Sequence, residues 1–248
     1  MKFCLKKITL NHSFFSMFIL MDVASSNLAF LLFSVGEIIF VIIPMIVFKL
    51  QKKDLKYEFR HRIIPNEMLT RSKYLRFLDI LIGISVGILF YFFGGYLTIT
   101  IRKVIVETKG EEYYETASEG SVNTTPPPPE SPNNTLIWFL IIIGVVIMFC
   151  FVALSEEFCF RGVLQKEFGH ISPILGILLS SFFFMIYHVF PGVVPWVTFL
   201  TFWLYYLAFG ILLALITYFQ KGDLVISIIA HGTFNSILWV QLYLPYLQ

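Results

Sequence analysis

The sequence predicts an all-α fold: a polytopic membrane helical bundle of about six to eight transmembrane helices around an intramembrane polar cavity. Three observations predict it. The 248 residues are 57% hydrophobic and 14% charged, whereas soluble domains carry roughly 25% charged residues. Apolar runs recur along the chain at lengths that fit the ~20 residues a helix needs to cross a bilayer. Finally, Glu156, Glu157 and Arg161 follow directly on one such run, Leu136–Leu154, which holds no charged residue. Ionisable groups at membrane depth are costly and mark a functional site by default. The net charge is +2 and unevenly spread, and no nucleic-acid partner is implied. Cys4, Cys150 and Cys159 form neither a disulfide framework nor a zinc ribbon.

Residues 1–101 read as N-terminal transmembrane helices. Met1–Met21 opens with Lys2, Lys6 and Lys7 before a short apolar patch, and three readings are open: a short span, an interfacial segment, or a signal peptide ending near Ala24-Ser25. Asn27–Phe48 is a span with a kink expected at Pro44. It contains Glu37, which either lines a polar cavity or is a single carboxylate hydrogen-bonded within the bundle. The loop 49–76 is the most basic part of the chain, with Lys49, Lys52, Lys53, Lys56, Arg60, Arg62, Arg71, Lys73 and Arg76, and the positive-inside rule makes it cytoplasmic. Leu78–Ile99 is the next span, and its Gly83, Gly87, Gly94 and Gly95 suit close helix packing.

Residues 102–135 form an acidic, Pro-rich insert, with Glu107 through Glu130 and then Pro126–Pro129, expected as a mobile extracytoplasmic loop. Asn123-Thr124-Thr125 and Asn133-Asn134-Thr135 match glycosylation triplets. Residues 136–248 are the helical core. Leu136–Leu154 runs inward, Ile171–Val189 outward after Pro173, Trp196–Phe219 inward, and Leu224–Leu244 makes the last crossing. Six spans would leave the N-terminal lysines outside. A seventh, short span at the N-terminus removes that conflict with the positive-inside rule.

The core gathers its polar residues into three short patterns. Glu156-Glu157-x-x-x-Arg161 places Glu157 and Arg161 four apart, at pairing distance on one helix face, while Glu156 points about 100° away. Phe184-x-x-x-His188 and His231-x-x-x-Asn235 each put a histidine inside an apolar segment with its companion one turn away. His170, beside Gly169, reads as a helix cap. One buried histidine is ordinarily a satisfied core residue. Several polar groups, each costing up to a few kcal/mol in lipid, are explained more economically by a shared pocket. Its chemistry would be water activation: a glutamate as base, a histidine sharing that task, and a His–Asn pair donating to a developing oxyanion. Together these make a hydrolase acting on a carbonyl.

In order and on successive spans, the three patterns resemble the motifs of the CAAX protease and bacteriocin-processing (CPBP, or Abi) family of intramembrane proteases. The likeness is to the Ras-converting-type CAAX prenyl endopeptidases and their archaeal relatives. It covers roughly Leu136 to the C-terminus. The resemblance implies that Glu156 is the water-activating base assisted by His188, that His231 and Asn235 form the oxyanion site, and that Glu157, Arg161 and Phe184 support them. It implies a metal-free glutamate mechanism and an active site facing the cytoplasm. The substrate would be a prenylated or other membrane-associated protein or peptide, cut after its lipidated cysteine to release a C-terminal tripeptide. The acidic, Pro-rich insert departs from the family pattern.

Other readings compete with this one. Glu156, His188 and His231 could instead bind zinc, although the chain lacks the His-Glu-x-x-His helix that usually supplies such ligands. On that reading the protease acts on another substrate, in bacteriocin or peptide processing or in immunity. Cys159 as nucleophile is disfavoured, because an apolar setting leaves a thiol inert. The rival class is a non-enzymatic transporter or scaffold, against which stand the absence of an obvious internal repeat and the clustering of polar groups in one half.

Overall fold

Backbone groups in hydrocarbon must bond internally, and a continuous apolar run of spanning length does so as a helix. The computed structural model describes residues 34–118, 134–244 and 247. Among these, extended pairing is limited to an isolated bridge between Pro191 and Val194, in the turn before the seventh helix. Helix α1 is Ile39–Leu50, α2 is Leu55–Ile63, α3 is Lys73–Lys109 and α4 is Glu111–Ser118. Helix α5 begins as Asn134–Ile147 and continues through Met148–Ala153, Leu154–Glu157 and Phe158–Gln165 to Lys166–Gly169. Its Met148–Ala153 and Phe158–Gln165 turns are π-helical. Helices α6 (Pro173–His188), α7 (Trp196–Phe219) and α8 (Val225–Tyr243) complete the bundle.

Among the described residues, four helical stretches are long and apolar enough to cross a membrane: α3, Ile137–Gly169 of α5, α7 and α8. Helix α6, with 16 residues, is shorter. At 1.5 Å per residue it reaches about 24 Å, less than the ~30 Å hydrocarbon thickness. A helix of that length that starts at one membrane face ends before the other, and its last residue is His188. The all-α membrane bundle stands. The six clear spans resolve into these four, the short α6, and α1, which holds the part of Asn27–Phe48 from Ile39 onward.

Three boundaries differ from the sequence expectation. The span read as Leu136–Leu154 does not end there, and Glu156 and Glu157 lie inside one helix that continues to Gly169. The span read as Leu78–Ile99 is the middle of a 37-residue helix. The insert is helical from residue 102 to Ser118 rather than a loop. Arg102 pairs with Glu111 at 2.5 Å, stacks over Tyr114 at 5.0 Å, and Tyr114 is buried. Met1–Met21, Pro126–Pro129 and the Asn123 triplet lie outside the described residues.

Small residues set the helix spacing. A Cβ on Gly83 would lie 2.6 Å from the Ile229 Cβ, and one on Gly87 would lie 2.5 Å from the Ala230 carbonyl oxygen, so α8 approaches α3 at backbone distance. Gly94 likewise leaves room for the Tyr205 ring. Gly95, grouped with these from the sequence, meets nothing within 4 Å and has no packing role.

Several charges of the basic segment are turned inward. Arg62 is buried, pairs with Glu58 at 2.9 Å and Glu167 at 2.7 Å, and donates to the Gly162 carbonyl at 2.9 Å. Arg71 and Arg76 flank the buried Asp79 at 2.8 and 3.6 Å, and Arg76 also meets Asp223 at 2.5 Å. Asp223 in turn accepts from the Val225 backbone at 3.0 Å and so ties the start of α8. Half-buried ion pairs of this kind fix one end of the bundle, where the polar part of α5 ends.

Candidate active site

The site is assembled where the second half of α5 meets α6, α7 and α8. Successive donors on α5 anchor it to α7: Arg161 Nη2 donates to the Gly210 carbonyl at 3.2 Å, and Gln165 Nε2 to the Ala214 carbonyl at 2.9 Å. Both steps are four residues, so the two side chains form parallel rungs between the helices. Gly210 is required by the same junction, because a Cβ there would come within 3.0–3.1 Å of Ser181 on α6. On the α8 side, a Cβ on Gly232 would stand 2.3 Å from the Phe149 ring, so only glycine lets α8 lie this close to the first π turn of α5.

Glu157 and Arg161 are both fully buried and form an ion pair of 2.9 Å. The guanidinium lies 4.3 Å from the centre of the Phe184 ring, a cation–π contact that gives Phe184 a definite place under the pair. The same Glu157 oxygen, Oε1, also receives His231 Nδ1 at 2.9 Å. Glu157 therefore joins the arginine of α5 to the histidine of α8. Nδ1 beside a carboxylate carries the hydrogen, which leaves Nε2 as the working atom of His231.

Glu156 faces the other way. It is buried, and its Oε2 has no hydrogen-bond partner among the described residues. His188 Nε2 lies 3.6 Å from that oxygen and His231 Nε2 lies 3.9 Å from it. Separations of this size are those at which a single water bridges two groups. His188 is held from behind, its Nδ1 donating to the Phe184 carbonyl one turn back at 2.9 Å. Its ring stacks on Tyr206 at 4.4 Å with an interplanar angle of 26°. In their neutral forms both histidines therefore turn an Nε2 lone pair toward Glu156. Asn235 is buried one turn beyond His231 on α8, and its Oδ1 has no partner among the described residues.

The structure thus brings together Glu156, Glu157, Arg161, Phe184, His188 and His231, and sets Asn235 one helical turn from His231. It does not place the histidines with two donors free. Because Nδ1 of His231 is engaged by Glu157, that ring offers an oxyanion only Nε2–H, and only when both nitrogens carry hydrogen. Gln165 and Tyr206 were not singled out from the sequence. Gln165 was legible in hindsight as a polar residue four beyond Arg161, whereas nothing in the sequence distinguishes Tyr206 from its aromatic neighbours. Cys159 is free and half-buried, packed against the apolar core. For the zinc alternative, the three named ligands do converge, but among the described residues no set of three His, Cys, Asp or Glu has a metal-holding arrangement.

One further carboxylate enters from α1's side. Glu37 is buried in the turn that leads into α1 and comes within hydrogen-bonding reach of Glu156.

No curated protein and no solved structure matches the chain. Residues 137–237, which run from the start of α5 to just past Asn235, match the family model described as type II CAAX prenyl endopeptidase Rce1-like, and the matched segment contains Glu156, Glu157, Arg161, His188, His231 and Asn235.

Proposed function

We propose that the chain is an intramembrane endopeptidase of the CAAX type that hydrolyses its substrate with a water activated by Glu156. The observation that carries this reading is the division of labour between adjacent glutamates. Glu157 is consumed by Arg161 and His231, while the Oε2 of Glu156 faces two imidazole Nε2 atoms at 3.6 and 3.9 Å with no other partner. A water seated there gives one hydrogen bond to Glu156 and one to His188, and its lone pair is left for the substrate carbonyl.

The step balances without an added reagent. Glu156 takes a proton from the water as the oxygen bonds to the carbonyl carbon, and the carbonyl π electrons move to oxygen. The Asn235 amide N–H stabilises that oxyanion. Collapse breaks the C–N bond, and the proton held by Glu156 passes to the leaving amine. Glu157 and Arg161 keep their places throughout, so that charge develops against a fixed background.

The substrate reading is a prenylated protein cut after its lipidated cysteine, with the tripeptide released. It is supported by the description of the matched family and by the three motifs. A cytoplasm-facing site is supported by Arg62 of the basic segment, which bonds to Gly162 and Glu167 at the same end of α5. The mechanism is proposed to need no metal. The deciding experiment is cleavage by reconstituted protein of a farnesylated CAAX peptide beside its unprenylated twin, with and without chelator. Preferential cleavage of the farnesylated peptide, unaffected by chelator and abolished by Glu156→Gln, is expected. Equal cleavage of both peptides, or none, would overturn the CAAX assignment, and activity lost to chelator and restored by zinc would overturn the metal-free one.

A further inference from the structure

Glu37 lies outside the segment that matches the family model, and the mechanism above does not use it. It nevertheless continues the inward-facing stripe of α1: Glu37 in the turn before the helix, then Phe40, Pro44 and Phe48 on it, recur at three- and four-residue steps and face the bundle, while Ile38, Ile39, Ile42, Ile43 and Ile46 are exposed. The stripe is pinned at this end by Phe40, whose ring packs edge-on to Tyr187 at 4.7 Å and against Phe160 at 5.6 Å. Tyr187 precedes His188, and Phe160 precedes Arg161. The aromatic wedge therefore fixes Glu37 relative to the same two elements that carry the site.

The Glu37 carboxyl reaches that of Glu156. Its Oε2 has no partner among the described residues, and Arg161, the nearest cation of the cluster, is taken up by Glu157. Two carboxylates in contact inside an apolar site repel if both are ionised, whereas a single hydrogen between them turns the repulsion into a strong bond. The same economy holds in the paired carboxylates of aspartic proteases.

We propose that Glu37 is a positioning residue for Glu156: one hydrogen held between the two carboxyl groups fixes the Glu156 side chain with Oε2 turned to the histidine Nε2 atoms. The positioning role rests on the reading of Glu156 as the base, but the shared hydrogen does not.

Two readouts test it. Infrared spectra of the purified protein and of Glu37→Gln and Glu156→Gln are expected to show, in the native chain, the carbonyl stretch of a carboxyl hydrogen-bonded to a carboxylate, and in both variants its loss or its shift to the frequency of an isolated carboxyl. A band that survives in either variant at its native frequency means that one glutamate holds its own proton, and this overturns the shared pair. In the cleavage assay, Glu37→Leu is expected to lower kcat by on the order of 10- to 100-fold, the size of a lost hydrogen bond to a charged group, with KM unchanged. Glu37→Gln, whose amide can donate to Glu156, is expected to restore most of that loss. Native kcat in Glu37→Leu, or a Gln variant as poor as the Leu variant, overturns the positioning role. If the native protein cleaves neither peptide, the protease reading fails while the infrared comparison still decides the pair.

Discussion

Replacing Arg161 by Met tests whether the ion pair on α5 is the keystone of the site. The guanidinium is fully buried, pairs with Glu157 at 2.9 Å, donates to the Gly210 carbonyl at 3.2 Å and covers the Phe184 ring at 4.3 Å. Methionine fills much of the volume but removes the charge. Glu157 is then buried with only His231 beside it, its Oε2 already lacking a partner among the described residues. Breaking one side of a buried pair costs about 3–5 kcal/mol. The surviving His231 contact places this case toward the lower figure. Equilibrium unfolding in mixed micelles, followed by tryptophan fluorescence, reads the loss directly. The control is the double substitution Glu157→Gln with Arg161→Met, which removes the stranded charge and is expected to recover at least about 1 kcal/mol of it. A single variant as stable as the native protein, or a double variant no better than the single, would refute the keystone argument.

Other outcomes follow from the same contacts. Glu156→Gln is expected to remove cleavage while leaving the unfolding midpoint unchanged within error; activity of native size in that variant would end the glutamate mechanism. Asn235→Ala should lower kcat by about 10²- to 10³-fold if its amide meets the oxyanion, and a change confined to KM would assign it to ground-state binding instead. Gly232→Ala is expected to destabilise the protein by about 1–3 kcal/mol, because its new methyl would sit 2.3 Å from Phe149. Gly95→Ala, with nothing within 4 Å, should stabilise α3 by up to about 1 kcal/mol. The same unfolding assay checks both glycines, and equal effects at the two sites would contradict the packing described here.

What could be read from the sequence was what depends on local period and composition. The i,i+4 spacing of Glu157 with Arg161 announced their pair, and the spanning length of the apolar runs announced the helices. The end of α5 was misplaced for a physical reason. A drop in hydropathy after Leu154 marks a helix leaving lipid only if its charges must find water, and here Glu157, Arg161 and Gln165 find partners on α7 and α8 instead. The helix therefore continues. The extension of α3 to Lys109 has the opposite origin: residues such as Lys103 and Glu107, which pair across a turn at 3.6 Å, look like loop by polarity but form good helix. The π turns were not legible, since each depends on how α5 fits its neighbours rather than on its own residues.

The charges of the cluster can also be counted, and the count bears on why a hydrolytic base would be built this way. Three carboxyl groups, Glu37, Glu156 and Glu157, share one buried region with one guanidinium, Arg161. Pairing Glu157 with Arg161 leaves that half neutral. With one hydrogen between Glu37 and Glu156, the remaining half holds a single negative charge, spread over two side chains whose common outlook is the pair of histidine Nε2 atoms. A lone buried carboxylate would be expensive to keep ionised, and two would be more so. One charge delocalised over a hydrogen-bonded pair, backed by a neutral ion pair and faced by two imidazoles, keeps a base available at membrane depth while limiting the buried charge to the one that the reaction uses. Glu37→Gln bears directly on this count, because an amide there donates its hydrogen bond without carrying the shared proton and confines the whole negative charge to Glu156.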